Sequence, residues 1–289
     1  MFQSRILKKN WLSTLKLKSF HDIFFCFFKA YINRGDVLIK MGKANEAYQV
    51  YQEALKFEPD NADLHYNLGV VLIELGNPIE ALDMFNNALE VDSEHLQSLM
   101  NSAILMQESG KADLRPLAYE RLYKVMDRQP ENDRIYFNLG MLSMDDGYTN
   151  KAENWFKKAI ELRPDFRSAL FNLALLLERS TRPLEALPYL DSLLKYFPDH
   201  IKGLVLLGDI YTNHVKDLGK AEKAYRKILE IDPKHVQGFH NLCVVMVNKK
   251  DLNSAYNCLM EVHKLAPHEA YIKKHLAIVE SRLQGQNGN

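Results

Sequence analysis

The chain predicts an all-α fold: a right-handed superhelical solenoid of seven helix pairs closed by a capping helix. Three observations predict it. Prolines, with one serine in the series, recur at 59, 93, 130, 164, 198, 233 and 267, in steps of 34, 37, 34, 34, 35 and 34 residues. An alanine stands twelve residues ahead of every mark, at Ala47, Ala81, Ala118, Ala152, Ala186, Ala221 and Ala255. A small residue precedes most marks by 24 or 25, at Gly35, Gly69, Gly140, Ala174, Gly208 and Cys243, with Ala103 in that place in the longer third unit. A fixed period of this length marks a repeat array, in which each unit buries its apolar face only against its neighbours.

Within a unit, apolar residues at three- and four-residue spacing fall into two amphipathic helices. The small residue on the first helix faces the alanine on the second, so the two backbones approach closely. Bulky residues eight before each mark (Tyr51, Phe85, Leu122, Phe156, Leu190, Tyr225 and Leu259) fill the space around them. Gly42, Gly76, Gly110 and Gly147 fall between the helices, where a positive φ ends the first. The prolines follow the second helix because proline cannot continue it.

In chain order, 1–27 is a basic and apolar N-terminal extension. Lys16, Lys18, His21 and Asp22 interrupt its apolar stretch and no small-residue cleavage site follows, so it reads as an amphipathic extension rather than a secretory signal. The units are expected at 28–61, 62–95, 96–132, 133–166, 167–200, 201–235 and 236–269. The third carries three extra residues around Leu114 to Leu117, and the sixth carries one near Lys216 and Asp217. Residues 270–284 read as a capping helix, with Lys273, Lys274, Glu280 and Arg282 to solvate the last face, and 285–289 as a frayed polar tail. No linker long enough to separate domains interrupts the array. The pattern resembles the tetratricopeptide repeat in its period and in its Gly, Ala, aromatic and Pro positions.

Composition narrows the function. The 37 basic residues balance 37 acidic ones, so no electrostatic footprint for nucleic acid exists. The longest charge-free apolar run, Ile23 to Phe28, is far short of the roughly 20 residues of a membrane-spanning helix. There is no phosphate loop, HExxH helix, CxxC pair or nucleophile elbow, so neither catalytic residues nor cofactors are expected. Cys243, Cys258, His240 and His263 share the seventh unit, but their spacing fits no standard zinc site. They read as two buried thiols and two ordinary histidines. Asp145 and Asp146 read as solvated charge at a helix end.

One feature exceeds what packing requires. The sixth position of the first helix is asparagine in six units: Asn33, Asn67, Asn101, Asn138, Asn172 and Asn241, with Leu206 breaking the series. Asparagine is a mediocre mid-helix residue because its amide competes for backbone groups. A carboxamide offers an acceptor and two donors, which match the C=O and N–H of an extended peptide. The preceding positions include Tyr66, Met100, Phe137, Phe171 and His240, candidate anchors for a bound side chain. The ladder resembles one in the repeats of the O-linked N-acetylglucosamine transferase, and so implies a polypeptide partner in the concave groove. The other reading is that the amides tie neighbouring repeats together or face water. A clamp for acidic chaperone tails needs Lys and Asn at the fifth and ninth positions of one first helix; those positions read Ile32/Asp36, Tyr66/Val70, Met100/Ile104, Phe137/Met141 and Phe171/Leu175. No chaperone-tail partner is expected.

Several stretches resemble a narrower family. They are AYINRGD at 30–36, YNLGVV at 66–71, NSAIL at 101–105, FNLGM at 137–141, FRSALFNLALLL at 166–177, DHIKG at 199–203, HNLCVV at 240–245 and APHE at 266–269. Together with both irregular units, they resemble the transmembrane and tetratricopeptide-repeat-containing (TMTC) proteins. The resemblance implies an endoplasmic-reticulum family that adds O-linked mannose to cadherin-type domains from a dolichol-phosphate-mannose donor. Its catalytic acids lie in a membrane half that matches no position here, so no catalytic residue carries over. It also implies a protein-binding, substrate-recruiting role for the repeats. The alternatives are a free-standing cytosolic adaptor, expected if the chain is complete as given, or a purely structural docking element.

Overall fold

The computed structural model describes residues 20–287, with side chains from 29 to 285. Residues 1–19 of the 1–27 extension lie outside the described residues, as do 288–289 of the tail. Every described element is helical, and the chain divides into two compact units, the first ending at Pro130 and the second beginning at Glu131.

The first unit holds three antiparallel pairs: α1 (Phe20–Lys40) with α2 (Ala44–Leu55), α3 (Ala62–Glu74) with α4 (Pro78–Val91), and α5 (Leu96–Glu108) with α6 (Arg115–Arg128). The second holds α7 (Asp133–Asp145) with α8 (Thr149–Leu162), α9 (Arg167–Arg179) with α10 (Pro183–Tyr196), α11 (Ile201–Ile210) with α12 (Leu218–Ile231), and α13 (Val236–Asn248) with α14 (Leu252–Leu265). A last helix, α15 (Ala270–Asn287), packs on α14 through Ile272 and Val279. Helix extends at both ends of the array beyond the expected repeat and cap positions. The backbone is already helical from Phe20, and α15 runs through Gly285, since a single glycine costs a helix only about 1 kcal/mol.

The glycines of the first helices are partnered by rings rather than by the alanines. A Cβ on Gly35 would meet the Tyr51 ring at 2.4 Å, one on Gly69 the Phe85 ring at 2.5 Å, and one on Gly140 the Phe156 ring at 2.6 Å. Gly208 stands against Tyr225 in the same way, at 2.6 Å. The alanines of the second helices are fully buried beside these rings. Gly42, Gly76, Gly110 and Gly147 turn the chain at φ of 69° to 79°. The other three turns use Thr181, Lys216 and Lys250 at positive φ, where a Cβ is strained.

Both irregular units absorb their insertions at helix ends. The three extra residues form a 3₁₀ turn, Ala112–Leu114, that leads into α6. The single extra residue is taken up by a π turn, Tyr211–Val215, that extends α11 and stops at left-handed Lys216. Three first helices open on a histidine cap. The Nδ1 atoms of His95, His200 and His235 accept from the backbone N–H of Ser98, Gly203 and Gly238, at 3.2, 2.9 and 3.0 Å.

Candidate functional site

The six ladder asparagines divide by what their amides do. Asn33 is exposed and Asn67 half-buried, and neither makes a hydrogen bond among the described residues. Asn138 is buried and donates Nδ2 to the Arg134 carbonyl at 2.8 Å; Asn172 donates to the Ser168 carbonyl at 2.9 Å. Asn101 donates to the Tyr66 hydroxyl at 3.3 Å, and Asn241 to Asp209 Oδ1 at 3.1 Å. Those two amides therefore reach the preceding repeat, whereas Asn138 and Asn172 close a bond on their own helix. Asn172 keeps its carbonyl oxygen unengaged among the described residues.

The flat residues ahead of the asparagines share one contact that sequence spacing did not reveal. Tyr66 stacks obliquely on His95 at 5.4 Å, Phe137 on Phe166 at 5.0 Å, and Phe171 on His200 at 5.2 Å. Each partner lies 29 positions on, at the N-terminal boundary of the next first helix. These ring contacts link consecutive repeats, and Tyr66, Phe137 and Phe171 stay half-buried. His240 departs from the rule. It stacks on His275 at 4.9 Å, with Nε2 and Nδ1 2.8 Å apart, and meets the edge of Tyr271 at 4.8 Å. Its Nδ1 lies 3.3 Å from Asn241 Oδ1. Burial holds its pKa below the ordinary imidazole value, and the neighbouring His275 adds to that depression.

Where Leu206 breaks the ladder, Asp209 replaces it as the polar centre. Tyr225 Oη donates to Asp209 Oδ1 at 2.7 Å, and burial raises the pKa of both groups. Asp36 serves Tyr51 in the same manner, at 2.5 Å. A tyrosine under the first helix thus comes with an aspartate on it, because a buried phenol requires an acceptor.

Phe171 and Asn172 both open onto one surface pocket of about 660 Å³. It lies between the first turns of α9 and α11, and Arg167, Phe197, His200 and Lys202 complete its wall. Two phenyl rings, a carboxamide and two cations in one lining suit a polypeptide segment better than a small metabolite. Arg167, Phe197, His200 and Lys202 were not singled out by the sequence reading. The signal for them is positional: each sits at a seam between consecutive repeats.

The seventh pair carries a correction. Cys243 and Cys258 are joined in a disulfide that links α13 to α14, not two separate buried thiols. The small-residue position faces the second helix about one unit-half later, so a cysteine there finds any cysteine at the facing position.

Four profiles described as tetratricopeptide repeats match residues 35–76, 62–95, 133–166 and 171–236. The human protein O-mannosyl-transferase TMTC3 is 53% identical over 90% of this chain, and the Drosophila melanogaster Tmtc3 is 54% identical over 62% of it. The chain spans 29% and 19% of the length of those two relatives. Among solved structures, pilF of Pseudomonas aeruginosa superposes with a TM-score of 0.63 over 73% of this chain and 94% of its own, at 24% identity, which speaks for the fold alone. The chain thus belongs to the tetratricopeptide-repeat proteins, with the repeat region of the TMTC family as its counterpart.

Proposed function

We propose that the repeats hold an extended polypeptide segment on the first-helix face, as the substrate-recruiting part of a protein O-mannosyltransferase. The observation that carries this reading is the pocket between α9 and α11, where Phe171 and Asn172 line one open site. The half-buried Phe171 ring offers apolar area at a small further entropic cost, because packing on His200 already holds it. The Asn172 carbonyl oxygen accepts a peptide N–H. The segments that the relatives carry beyond the matched share supply the transfer chemistry, and cadherin-type domains are the polypeptides recruited.

The disulfide supports a lumenal placement. Disulfides persist in oxidising compartments such as the endoplasmic reticulum and are rare in the cytosol. Alkylation of intact cells followed by mass spectrometry is expected to find Cys243 and Cys258 blocked from labelling; free thiols on both would argue for a cytosolic adaptor.

Binding is tested with the purified chain and an immobilised cadherin-type domain, both folded and denatured. Phe171→Ala combined with Asn172→Ala is expected to weaken capture by about tenfold or more while helical circular dichroism is retained. Unchanged capture by the folded double variant contradicts the assignment of this pocket.

A further inference from the structure

The rim of the α9–α11 pocket carries a charge imbalance that the ladder does not account for. Arg167 and Lys202 flank it against one acid, Asp199. Both cations are exposed, and neither takes part in an ion pair among the described residues. Other cations between Glu131 and the C-terminus contrast with this. There Arg182 bridges Glu153 and Glu185, Lys157 also holds Glu153, and Glu222 is shared by Arg226 and Lys249. Arg167 instead stands 5.7 Å from the centre of the Phe197 ring, a weak, solvent-exposed contact that leaves its N–H fork available.

The local field agrees with that count. Burial is the first cause that lowers the His200 pKa, and the positive charges of Arg167 and Lys202 push the same way. The opposing pull of Asp199 is the smallest of the contributions. The pocket lining is therefore net positive, and it includes a pair of rings, Phe171 and Phe197.

We propose that this pocket selects an acidic polypeptide segment, with an Asp or Glu carboxylate held between Arg167 and Lys202 and the adjoining residue laid on Phe171 and Phe197. The proposal rests on the polypeptide-binding reading above and adds the chemical class of the segment. It differs from a chaperone-tail clamp: the two cations open consecutive first helices instead of occupying the fifth and ninth positions of one. The carboxylate is that of an internal side chain, so no free chain terminus is required.

The test uses the full chain and fluorescein-labelled dodecapeptides with amidated C-termini, built on one Ala/Ser/Phe framework and carrying four Glu, four Gln or four Lys. Anisotropy is expected to show the Glu peptide bound about tenfold more tightly than the Gln peptide at low salt, with the gap shrinking as salt screens it. In Arg167→Gln/Lys202→Gln, verified as folded by its melting curve, the Glu and Gln peptides should bind alike. Equal binding of all three peptides by the unaltered chain overturns the acidic preference and leaves the polypeptide-binding reading standing. A Glu preference that survives in the double variant overturns the assignment to this pocket. A parallel Gln peptide with a free C-terminal carboxylate that binds as tightly as the amidated Glu peptide overturns the internal side chain as ligand. No binding of any peptide overturns both readings.

Discussion

Gly140 lies directly beneath the ring of Phe156, so closely that a methyl group on Gly140 would come within 2.6 Å of ring carbon. The other units show how the contact is tuned. Glycine stands wherever the facing residue is aromatic (Gly35 with Tyr51, Gly69 with Phe85, Gly208 with Tyr225), and Ala103, Ala174 or Cys243 stands wherever it is Leu122, Leu190 or Leu259. Gly140→Ala is therefore expected to destabilise the second unit by about 1–3 kcal/mol through overpacking. Adding Phe156→Leu should recover part of that loss, giving a favourable coupling in a double-mutant cycle measured by urea denaturation. Simple additivity would show that the two positions are not matched.

The Cys243–Cys258 disulfide closes a loop of 15 residues, for which chain entropy suggests about 3 kcal/mol of stabilisation. Thermal melts of the chain with and without a thiol reductant should separate by a corresponding shift, and Cys258→Ser should melt like the reduced protein. Coincident melts would mean that the paired helices need no covalent link.

His200 gives a pH dependence with a definite sign. Its Nδ1 must be unprotonated to accept from the Gly203 N–H, and burial holds its folded-state pKa below the ordinary value. Because the unfolded imidazole binds a proton more readily, near pH 6.5, the contribution is fully present above that pH. It is lost as pH falls through the folded-state value. His200→Asn keeps a cap acceptor that does not titrate. Denaturation midpoints between pH 7.5 and 5 should fall less steeply for His200→Asn than for the unaltered chain.

Lys250 ends α13 at φ 65°, the place that glycine holds in four other turns. Lys250→Gly should raise stability by about 0.5–1 kcal/mol, the left-handed penalty outweighing the added freedom of the unfolded chain. A lower melting temperature would show that the lysine side chain contributes more than its backbone costs.

The helix pairs were legible because proline, glycine and alanine each answer a local demand: a stop, a turn or a close approach. Even the choice between glycine and alanine follows from the ring or leucine sixteen or so residues on. The site was less legible. Asn138 and Asn172 look alike to Asn101 and Asn241 in sequence, yet the first two bond to their own helix and the others reach across to Tyr66 and Asp209. Which bond forms depends on the neighbour's side chain, and a one-dimensional period does not carry that information. Phe171 was visible as a candidate anchor, while Arg167 and Lys202 were not, since a seam between repeats is made of residues far apart in the chain. The disulfide was missed for a related reason: counting cysteines ignores that a fixed helix pairing brings two of them together.

The π turn at Tyr211–Val215 separates the length of a unit from its interlocking surfaces. Beyond it Gly208 still faces Tyr225 and Asp209 still meets Asn241, although the unit is one residue longer than its neighbours. Insertions and deletions at such helix ends can accumulate as silent edits, so a gap in an alignment of related arrays is no sign of altered binding. Deleting Asn213, for instance, should convert the turn to ordinary helix and leave the pocket between α9 and α11 untouched.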